Sequence, residues 1–281
     1  MVTFSGAVTL PNGTVVPASG TAIVRPRMLV GVDTPGTAAA LTSHKSLFPG
    51  LTGPTRLFSK EGAGLPPWTG VLASVPATWI PHPSFKDMPT KTAFLAWLSA
   101  APSTWRQIWV TYHHEPEGDL DAATYRANWQ LLWQWAAGHP RRSLFKLVPI
   151  HTLYWSRHKG DWHQWWPGVG DYMGWDCYDE QARYEDPASF FALPFSAAAE
   201  AGVPLIVSEL GAILPLKADG TRDTSRSPAR AAWITACVAY LRRNGCRSVA
   251  WWCAPGTSAT LYYPLEEFPP ETAAYKAEAA R

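Results

Sequence analysis

The sequence is poor in charged residues and contains no long apolar stretch. Lysine and arginine number 24 against 22 aspartates and glutamates in 281 residues, which leaves a formal net charge of +2. This near-neutral balance, with no run of five or more basic residues, argues against a protein that binds nucleic acid through charge. No apolar stretch approaches the roughly 20 residues that a membrane-spanning helix needs. We therefore expect a globular protein with no nucleic-acid partner and no membrane insertion.

Cysteine is also scarce. The chain has four cysteines, Cys177, Cys237, Cys246 and Cys253, and they show neither a CxxC pair nor the spacing of metal ligands. A chain of this length can bury a full hydrophobic core without a disulfide scaffold. The pattern predicts small buried residues, with a bridge between Cys237 and Cys246 as the alternative.

The N-terminal segment differs from the rest of the chain. Residues 1–5 lack the basic region and apolar region of an export signal, so we expect an intracellular protein, another export route, or a piece of a larger secreted or particle-borne protein. Asn12-Gly13, between Phe4–Leu10 and Val15-Val16, is typical of a hairpin turn. We therefore predict a β-hairpin or linker appendage over residues 1–27 and a separate domain over residues 28–281.

Short apolar runs alternate with helical patterns through that second domain. Helices are predicted over Thr90–Ala101 and from Asp121 onward, and loops over Gly62–Pro67 and Pro76–Pro89. The predicted strands are Met28–Val32, Thr55–Phe58, Val71–Val75, Ile108–Tyr112, Leu144–Ile150, Tyr172–Trp175, Leu205–Ser208 and Val249–Trp252. Continuous apolar strands separated by helices indicate a parallel sheet, and a count of eight favours an α/β fold of the closed (β/α)₈ type, the TIM barrel.

Polar and aromatic residues follow these strands, where the active sites of such barrels lie. Two of them are carboxylates, Glu115 after the fourth strand and Glu209 after the seventh. Cleavage of a glycosidic bond with retention of the anomeric configuration needs two groups. One carboxylic acid protonates the leaving oxygen, and one carboxylate attacks the anomeric carbon. The other residues predicted at this rim are Asp33, Lys60, Glu61, His82, His113, His114, His151, Asp176, Tyr178, Trp251 and Trp252.

Tryptophan is abundant, with 16 residues in the chain. Aromatic side chains at this density fill a core or form platforms for flat ligands such as sugar rings. Trp155, Trp162, Trp165 and Trp166 are expected to divide between these roles, and Trp252 is preferred as the ring beneath a reacting sugar. His151 is predicted either as a core histidine or as a subsite residue.

The segment from about residue 28 to the C-terminus resembles glycoside hydrolase family 26. The resemblance depends on His114-Glu115-Pro116-Glu117-Gly118-Asp119, on Trp166–Tyr178, on Val203–Gly211 and on Ala231–Ile234. It implies a retaining glycosidase on a (β/α)₈ barrel, acting on a β-linked polysaccharide or oligosaccharide without a metal or organic cofactor, and it favours a secreted or particle-associated protein.

The resemblance also implies residue roles. Glu115 would be the acid/base, Glu209 the nucleophile, His114 a subsite hydrogen-bonder, and Tyr178 the residue that holds and tunes the nucleophile. Further substrate contacts are predicted for Trp252, His151, Asp176, Trp155 and Asp33. The chain departs from the family's mannan-cleaving members, which usually have Arg and Phe before the His-Glu pair, whereas Thr111-Tyr112-His113 stand here.

Two other hypotheses remain open. The chain could be a catalytically inactive carbohydrate-binding or particle-attachment barrel. It could instead be a hydrolase in which His113, His114, His151 and Asp176 hold zinc, and Glu117 with Asp119 could also bind a cation. A monomer is expected in every case.

Overall fold

The computed structural model describes residues 2–9, 15–22, 27–33, 36–256 and 261–281. The strands in these ranges are β1 (Val2–Thr9), β2 (Val15–Ala22), β3 (Leu29–Asp33), β4 (Pro54–Phe58), β5 (Ile80–Phe85), β6 (Ile108–Tyr112), β7 (Phe145–Leu147), β8 (Ile150–Thr152), β9 (Met173–Asp179), β10 (Leu205–Ala212) and β11 (Ser248–Trp252). The helices are α1 (Ala38–Leu47), α2 (Lys91–Ala100), α3 (Ala122–Ala137), α4 (Leu153–His158), α5 (Pro187–Phe190), α6 (Ala192–Ala201), α7 (Ser227–Arg243) and α8 (Pro269–Ala279).

Strands β3 to β11 form the parallel core of a (β/α)₈ barrel. One sheet has the order β3-β11-β10-β9-β8 and the other the order β4-β5-β6-β7. The fifth barrel strand is divided at Val148-Pro149, since β7 pairs with β6 while β8 pairs with β9. The chain therefore passes from one sheet to the other within this strand, and the predicted α/β barrel is confirmed.

Two glycines let β3 and β4 meet at the other junction of the sheets. The Gly53 amide donates to the Val30 carbonyl over 2.9 Å. A Cβ atom at Gly31 would lie 1.9 Å from the Pro54 carbonyl oxygen, and one at Gly53 would lie 2.4 Å from the Val30 carbonyl carbon. Side chains at either position would therefore push the two strands apart.

The third barrel strand was predicted in the wrong place. Residues 72–74 of the predicted run Val71–Val75 form a short 3₁₀ turn, and the strand is β5, inside the predicted loop Pro76–Pro89. Prolines at 81 and 83 argued against a strand because they donate no ladder hydrogen bond. They are tolerated because β5 pairs with β4 from Ile80 to Ser84, whereas its pairing with β6 is confined to Ser84 and Phe85 and leaves both prolines without a partner on that side.

The predicted helices and their ends largely agree with the structure. Thr90, Asp121 and Asp186 each accept a backbone N–H at the start of α2, α3 and α5. Gly202 ends α6 in the left-handed conformation with φ of 69°. Ser227, which precedes Pro228, is the first residue of α7, and its hydroxyl donates to Glu271.

Strands β1 and β2 pair antiparallel, from Val2 with Ala22 to Thr9 with Val15. The Asn12-Gly13 turn predicted between them lies outside the described residues. All four cysteines are free and buried, which leaves no disulfide between Cys237 and Cys246. In the described part of the chain, no helix has the length and apolar character to cross a membrane.

Candidate active site

A cavity of about 590 Å³ opens at the carboxyl ends of the barrel strands. It contains both of the carboxylates predicted from strands four and seven. Its lining consists of Phe58, Lys86, His114, Glu115, Glu117, Asp119, Thr152, Tyr154, Trp155, Lys159, Asp176, Tyr178, Glu180, Glu209, Trp252, Gly256, Leu261 and Tyr263.

An unusual backbone path after β6 turns His114 and Glu115 into this cavity. In a regular strand, consecutive side chains point to opposite faces. Here the strand ends at Tyr112, and the next residues include His113 with φ of 44° and Glu115 with φ of 50°. Left-handed conformations are costly for residues other than glycine and concentrate at functional sites. They allow His114 and Glu115 to face the same cavity.

An irregular register in β10 has a similar effect on Glu209. Val207 pairs with Trp175 and Glu209 with Asp176, so Ser208 is an additional residue in the β10 strand. The Ser208 hydroxyl donates to Asp176 over 2.6 Å, while Glu209 lines the cavity. A bulge of this kind redirects side chains at the end of a strand.

Arg56 connects the carboxylates at the cavity floor and was missed from the sequence. Its Nη1 donates to both oxygens of Asp176, over 3.1 and 3.0 Å, and to Glu209 over 2.6 Å. Its backbone amide donates to Asp33 over 2.8 Å. Arg56 is fully buried, and a buried guanidinium needs carboxylate partners. An arginine inside the apolar run Pro54–Phe58 was therefore a usable sequence signal.

The surroundings of Glu115 favour its protonated form. Desolvation in the cavity, followed by the charge of Asp176, raises the pKa of Glu115 from 4.5 to about 8, and the charge of Glu117 acts in the same direction. The positive charges of Arg56 and Lys86 oppose this rise. A pKa of about 8 favours the protonated form of Glu115 at neutral pH.

Glu209 has a different set of partners. Burial and the charge of Asp176 raise the pKa of Glu209, while Arg56 and a hydrogen bond from Tyr178 oppose the rise. Tyr178 donates its hydroxyl to Oε2 and Arg56 donates to Oε1, so each oxygen of this carboxylate accepts a hydrogen bond. Of Glu115 and Glu209, Glu209 is the one that directly contacts a cation, the Arg56 guanidinium.

Aromatic rings form much of the remaining wall. Phe58 lies 4.9 Å from His114 and 5.5 Å from Trp252, centroid to centroid, in edge-on arrangements. Tyr263 packs 4.9 Å from Tyr178. On the side of the fifth strand, Trp155 also lines the cavity. Such surfaces suit flat rings with apolar faces.

The structure brings most of the predicted site residues together. Glu115, Glu209, His114, Tyr178, Trp252, Asp176 and Trp155 all line the cavity. Asp33 and His151 do not, since both are fully buried beneath it. Asp33 accepts the Arg56 amide, and the His151 ring lies 5.4 Å from that of Trp175.

Several other predicted rim residues point elsewhere. His82 lies within β5 and bonds Thr111 over 2.8 Å. Trp251 is buried and donates to the Tyr263 carbonyl. Lys60, Glu61 and His113 are outside the lining. Of the four clustered tryptophans, Trp162 and Trp165 are core residues at 5% exposure each, and Trp166 packs against that core.

The described residues contain two groups whose ligand atoms could hold a metal ion. One is His44, Cys253 and Glu266, outside the cavity, and the other is Glu115, Asp176 and Glu209. In the second group Arg56 already bonds two of the three carboxylates. The histidines proposed as zinc ligands are not gathered with Asp176. His114 Nδ1 instead lies 3.0 Å from Ser84 and His113 Nδ1 lies 3.2 Å from the Lys86 carbonyl.

The barrel is shared with glycoside hydrolases of known structure. A family 26 endo-β-1,4-mannanase from Cellulomonas fimi is 12% identical in sequence and superposes with a TM-score of 0.60. The aligned region covers 91% of this chain and 71% of the mannanase chain. A family 128 endo-β-1,3-glucanase from Amycolatopsis mediterranei is 14% identical, with coverages of 89% and 99% and a TM-score of 0.61.

A second family 26 mannanase, from Bacillus sp. JAMB-750, is 13% identical, with coverages of 90% and 85% and a TM-score of 0.55. The structural neighbours thus include the family that the sequence resembles. Neither protein-family models nor curated proteins gave a match. At this level of identity the similarity establishes the fold.

Proposed function

We propose that the protein is a retaining endo-glycosidase that hydrolyses a β-linked glycan, with Glu115 as acid/base and Glu209 as nucleophile. The observation that carries this proposal is the close approach of a carboxylate oxygen of Glu115 to one of Glu209. An oxygen of Glu115 and an oxygen of Glu209 lie within 4.8 Å of each other. Retaining enzymes hold their carboxyl groups about 5–5.5 Å apart, whereas inverting enzymes need roughly 6.5–9.5 Å to admit a water.

The electrostatics support the same assignment of roles. A general acid has to be protonated before it acts, and the pKa of about 8 for Glu115 meets this requirement. A nucleophile has to be ionised; burial raises the pKa of Glu209, and the hydrogen bonds that Arg56 and Tyr178 donate to its two oxygens oppose that rise and favour the ionised form. When Glu209 bonds to the anomeric carbon its negative charge is lost. The pKa of Glu115 then falls, so that it can accept a proton from the incoming water.

The shape of the cavity supports a glycan substrate. The lining combines aromatic rings at Phe58, Trp252 and Tyr263 with hydrogen-bonding carboxylates and hydroxyls, a combination that suits sugar rings. Proteins of similar fold include endo-β-1,4-mannanases and endo-β-1,3-glucanases, and one structure of such a glucanase is a complex with laminarihexaose. We therefore expect a neutral β-glycan with a mannan-like or glucan-like backbone.

The experiment is a hydrolysis screen on mannans, β-1,3-glucans, mixed-linkage glucans, xylans and bacterial envelope glycans. Wild-type protein should release oligosaccharides from one class, and Glu209→Gln should abolish release while preserving folding and binding. An activated 2-fluoro glycoside of the same sugar should label Glu209, as read by peptide mass spectrometry.

Glu185→Gln is a suitable control because Glu185 carries a carboxylate outside the cavity, beside Arg157. It should retain activity. Labelling of another residue would contradict the assignment, and binding without release of product would favour a carbohydrate-binding barrel instead.

A further inference from the structure

A cluster of three metal-ligating side chains lies outside the cavity, where α1 meets the end of the last barrel strand. His44 belongs to the last turn of α1, Cys253 directly follows β11, and Glu266 precedes α8. One ligand atom from each of these side chains lies within 4.8 Å of the other two. The fold thus gathers an imidazole, a thiol and a carboxylate from three separate segments of the chain.

Hydrogen bonds account for the thiol and the carboxylate but not for the imidazole. Cys253 Sγ donates to Glu266 Oε2 over 2.8 Å. His44 is 1% exposed, and its Nδ1 has no partner among the described residues. Its Nε2 lies 3.7 Å from Glu266 Oε1, beyond hydrogen-bond distance. A buried imidazole without a hydrogen bond is unfavourable, so the nitrogen that faces the carboxylate is available to bind a cation.

The spacing of the ligand atoms is close to that of a tetrahedral zinc site. Bonds of about 2.3 Å from zinc to sulfur and about 2.0–2.1 Å to nitrogen or oxygen place the ligand atoms roughly 3.3–3.5 Å apart. The distances of 3.7 Å between His44 and Glu266 and of 2.8 Å between Cys253 and Glu266 lie on either side of this range. Side-chain shifts of less than about 1 Å would therefore bring the three atoms to bonding distance from one ion.

Charge and access also suit a divalent cation. Buried charges are paired or coordinate metals, and an ionised Cys253 together with Glu266 would balance two positive charges. Cys253 is 2% exposed, whereas the side chain of Glu266 is 36% exposed. An ion can therefore reach the group from solvent past Glu266. Because the group supplies three protein ligands, a water would take the fourth position.

The types of ligand atom indicate which metal the group would select. Thiolate sulfur is a soft ligand that does not suit calcium or magnesium, whereas sulfur, imidazole nitrogen and carboxylate oxygen are all common ligands of zinc. All four cysteines of the chain are free, so the Cys253 thiol is not consumed by a disulfide.

We propose that His44, Cys253 and Glu266 form a zinc site that ties α1 to the end of β11 and to the segment before α8. On binding, the S–H bond of Cys253 breaks, its proton passes to solvent, and the thiolate donates an electron pair to zinc. None of the three residues lines the cavity. The ion therefore stabilises the fold where the first and last barrel strands, β3 and β11, pair, and it takes no part in glycan cleavage.

The test begins with wild-type protein from which metal has been removed with a chelator, kept under reducing conditions and titrated with zinc chloride. Calorimetry should show one zinc ion bound per chain. The melting temperature should rise by about 4–5 °C at a free zinc concentration one hundred times Kd. Magnesium chloride and calcium chloride should produce no such rise.

Cobalt chloride identifies the ligands. Cobalt bound to a thiolate has a charge-transfer absorption in the near ultraviolet, which a site made of carboxylates such as Glu115, Asp176 and Glu209 cannot produce. We expect this absorption in the wild-type protein, and we expect added zinc to remove it by displacing the cobalt.

Cys253→Ser is the matched variant, because its hydroxyl can still donate to Glu266 while the thiolate ligand is lost. It should lose both the cobalt absorption and the zinc-dependent rise in melting temperature. Glu266→Gln should weaken zinc binding at least about tenfold. Cys246→Ser is the control, since Cys246 is also buried but bonds the Leu205 and Ser248 carbonyls. It should bind both metals as the wild-type protein does.

Wild-type protein that shows neither a zinc-dependent rise in melting temperature nor the cobalt absorption would overturn the inference, even if the variants fail to fold. Cobalt absorption that persists in folded Cys253→Ser protein would also overturn it. None of these measurements uses glycan hydrolysis, so their outcome is independent of the proposed enzymatic function.

Discussion

Replacing Arg56 should destabilise the protein in a way that depends strongly on pH. Its guanidinium is fully buried, donates to Asp176 and Glu209, and lies in the field of Asp33. Arg56→Met keeps much of the apolar stem but leaves these carboxyl groups without their cation. Removing one partner of a buried ion pair typically costs about 3–5 kcal/mol of the free energy of unfolding.

The sign of the pH dependence follows from proton binding. Without Arg56, the pKa values of Asp176 and Glu209 in the folded protein rise further above their unfolded values. A carboxyl group with a raised folded pKa contributes stability that is complete below its unfolded pKa, near 4, and is lost as pH rises through its folded pKa. The loss caused by Arg56→Met should therefore be small near pH 4.5 and approach its full size of about 3–5 kcal/mol near pH 8.

Urea unfolding at pH 4.5, 6 and 8 would measure this effect. Arg56→Lys is the matched control because it keeps the positive charge but cannot hold two carboxylates in the same geometry. It should retain more stability at pH 8 than Arg56→Met and still lose activity. A loss of equal size at all three pH values would refute the electrostatic reasoning and assign the effect to packing.

Three further predictions concern the site. Because Glu115 acts while protonated and its pKa is about 8, kcat/KM should fall as pH rises through about 8; an alkaline limit near pH 5 would contradict its role as acid. Trp155→Ala should weaken the binding of laminarihexaose or mannohexaose, measured by calorimetry, by about 1 kcal/mol. Trp162→Ala should mainly lower the melting temperature, because Trp162 is a core residue. The reverse result would exchange the roles of the two tryptophans. Activity should survive prolonged treatment with a chelator, and restoration by zinc of an activity lost to chelation would support a metal-dependent hydrolase.

The barrel could be predicted because its strands and helices follow local rules. Apolar runs at regular spacing and capping residues such as Thr90 and Asp121 act over a few residues, and both are visible in the sequence. The third strand was missed because Pro81 and Pro83 are unfavourable locally. Their tolerance depends on which neighbour β5 pairs with, and that is a property of the assembled sheet.

The candidate site also combines features that the sequence encodes locally with features that arise only in the folded barrel. The sequence alone determined that Glu115 and Glu209 follow strands on opposite sides of a barrel, because strand order is encoded in the alternation of apolar and helical segments. Tertiary structure decided that His114 and Glu115 face the cavity together, through the left-handed backbone at His113 and Glu115.

Tertiary structure also decided which polar residues share a site. Arg56 reaches Glu209 across 153 positions of sequence, and Asp33 and His151 lie beneath the cavity and not along its wall. Local sequence patterns report which face of a strand a residue occupies. They do not report which distant charge it meets, because burial and pairing energies arise only when the sheets have closed around it.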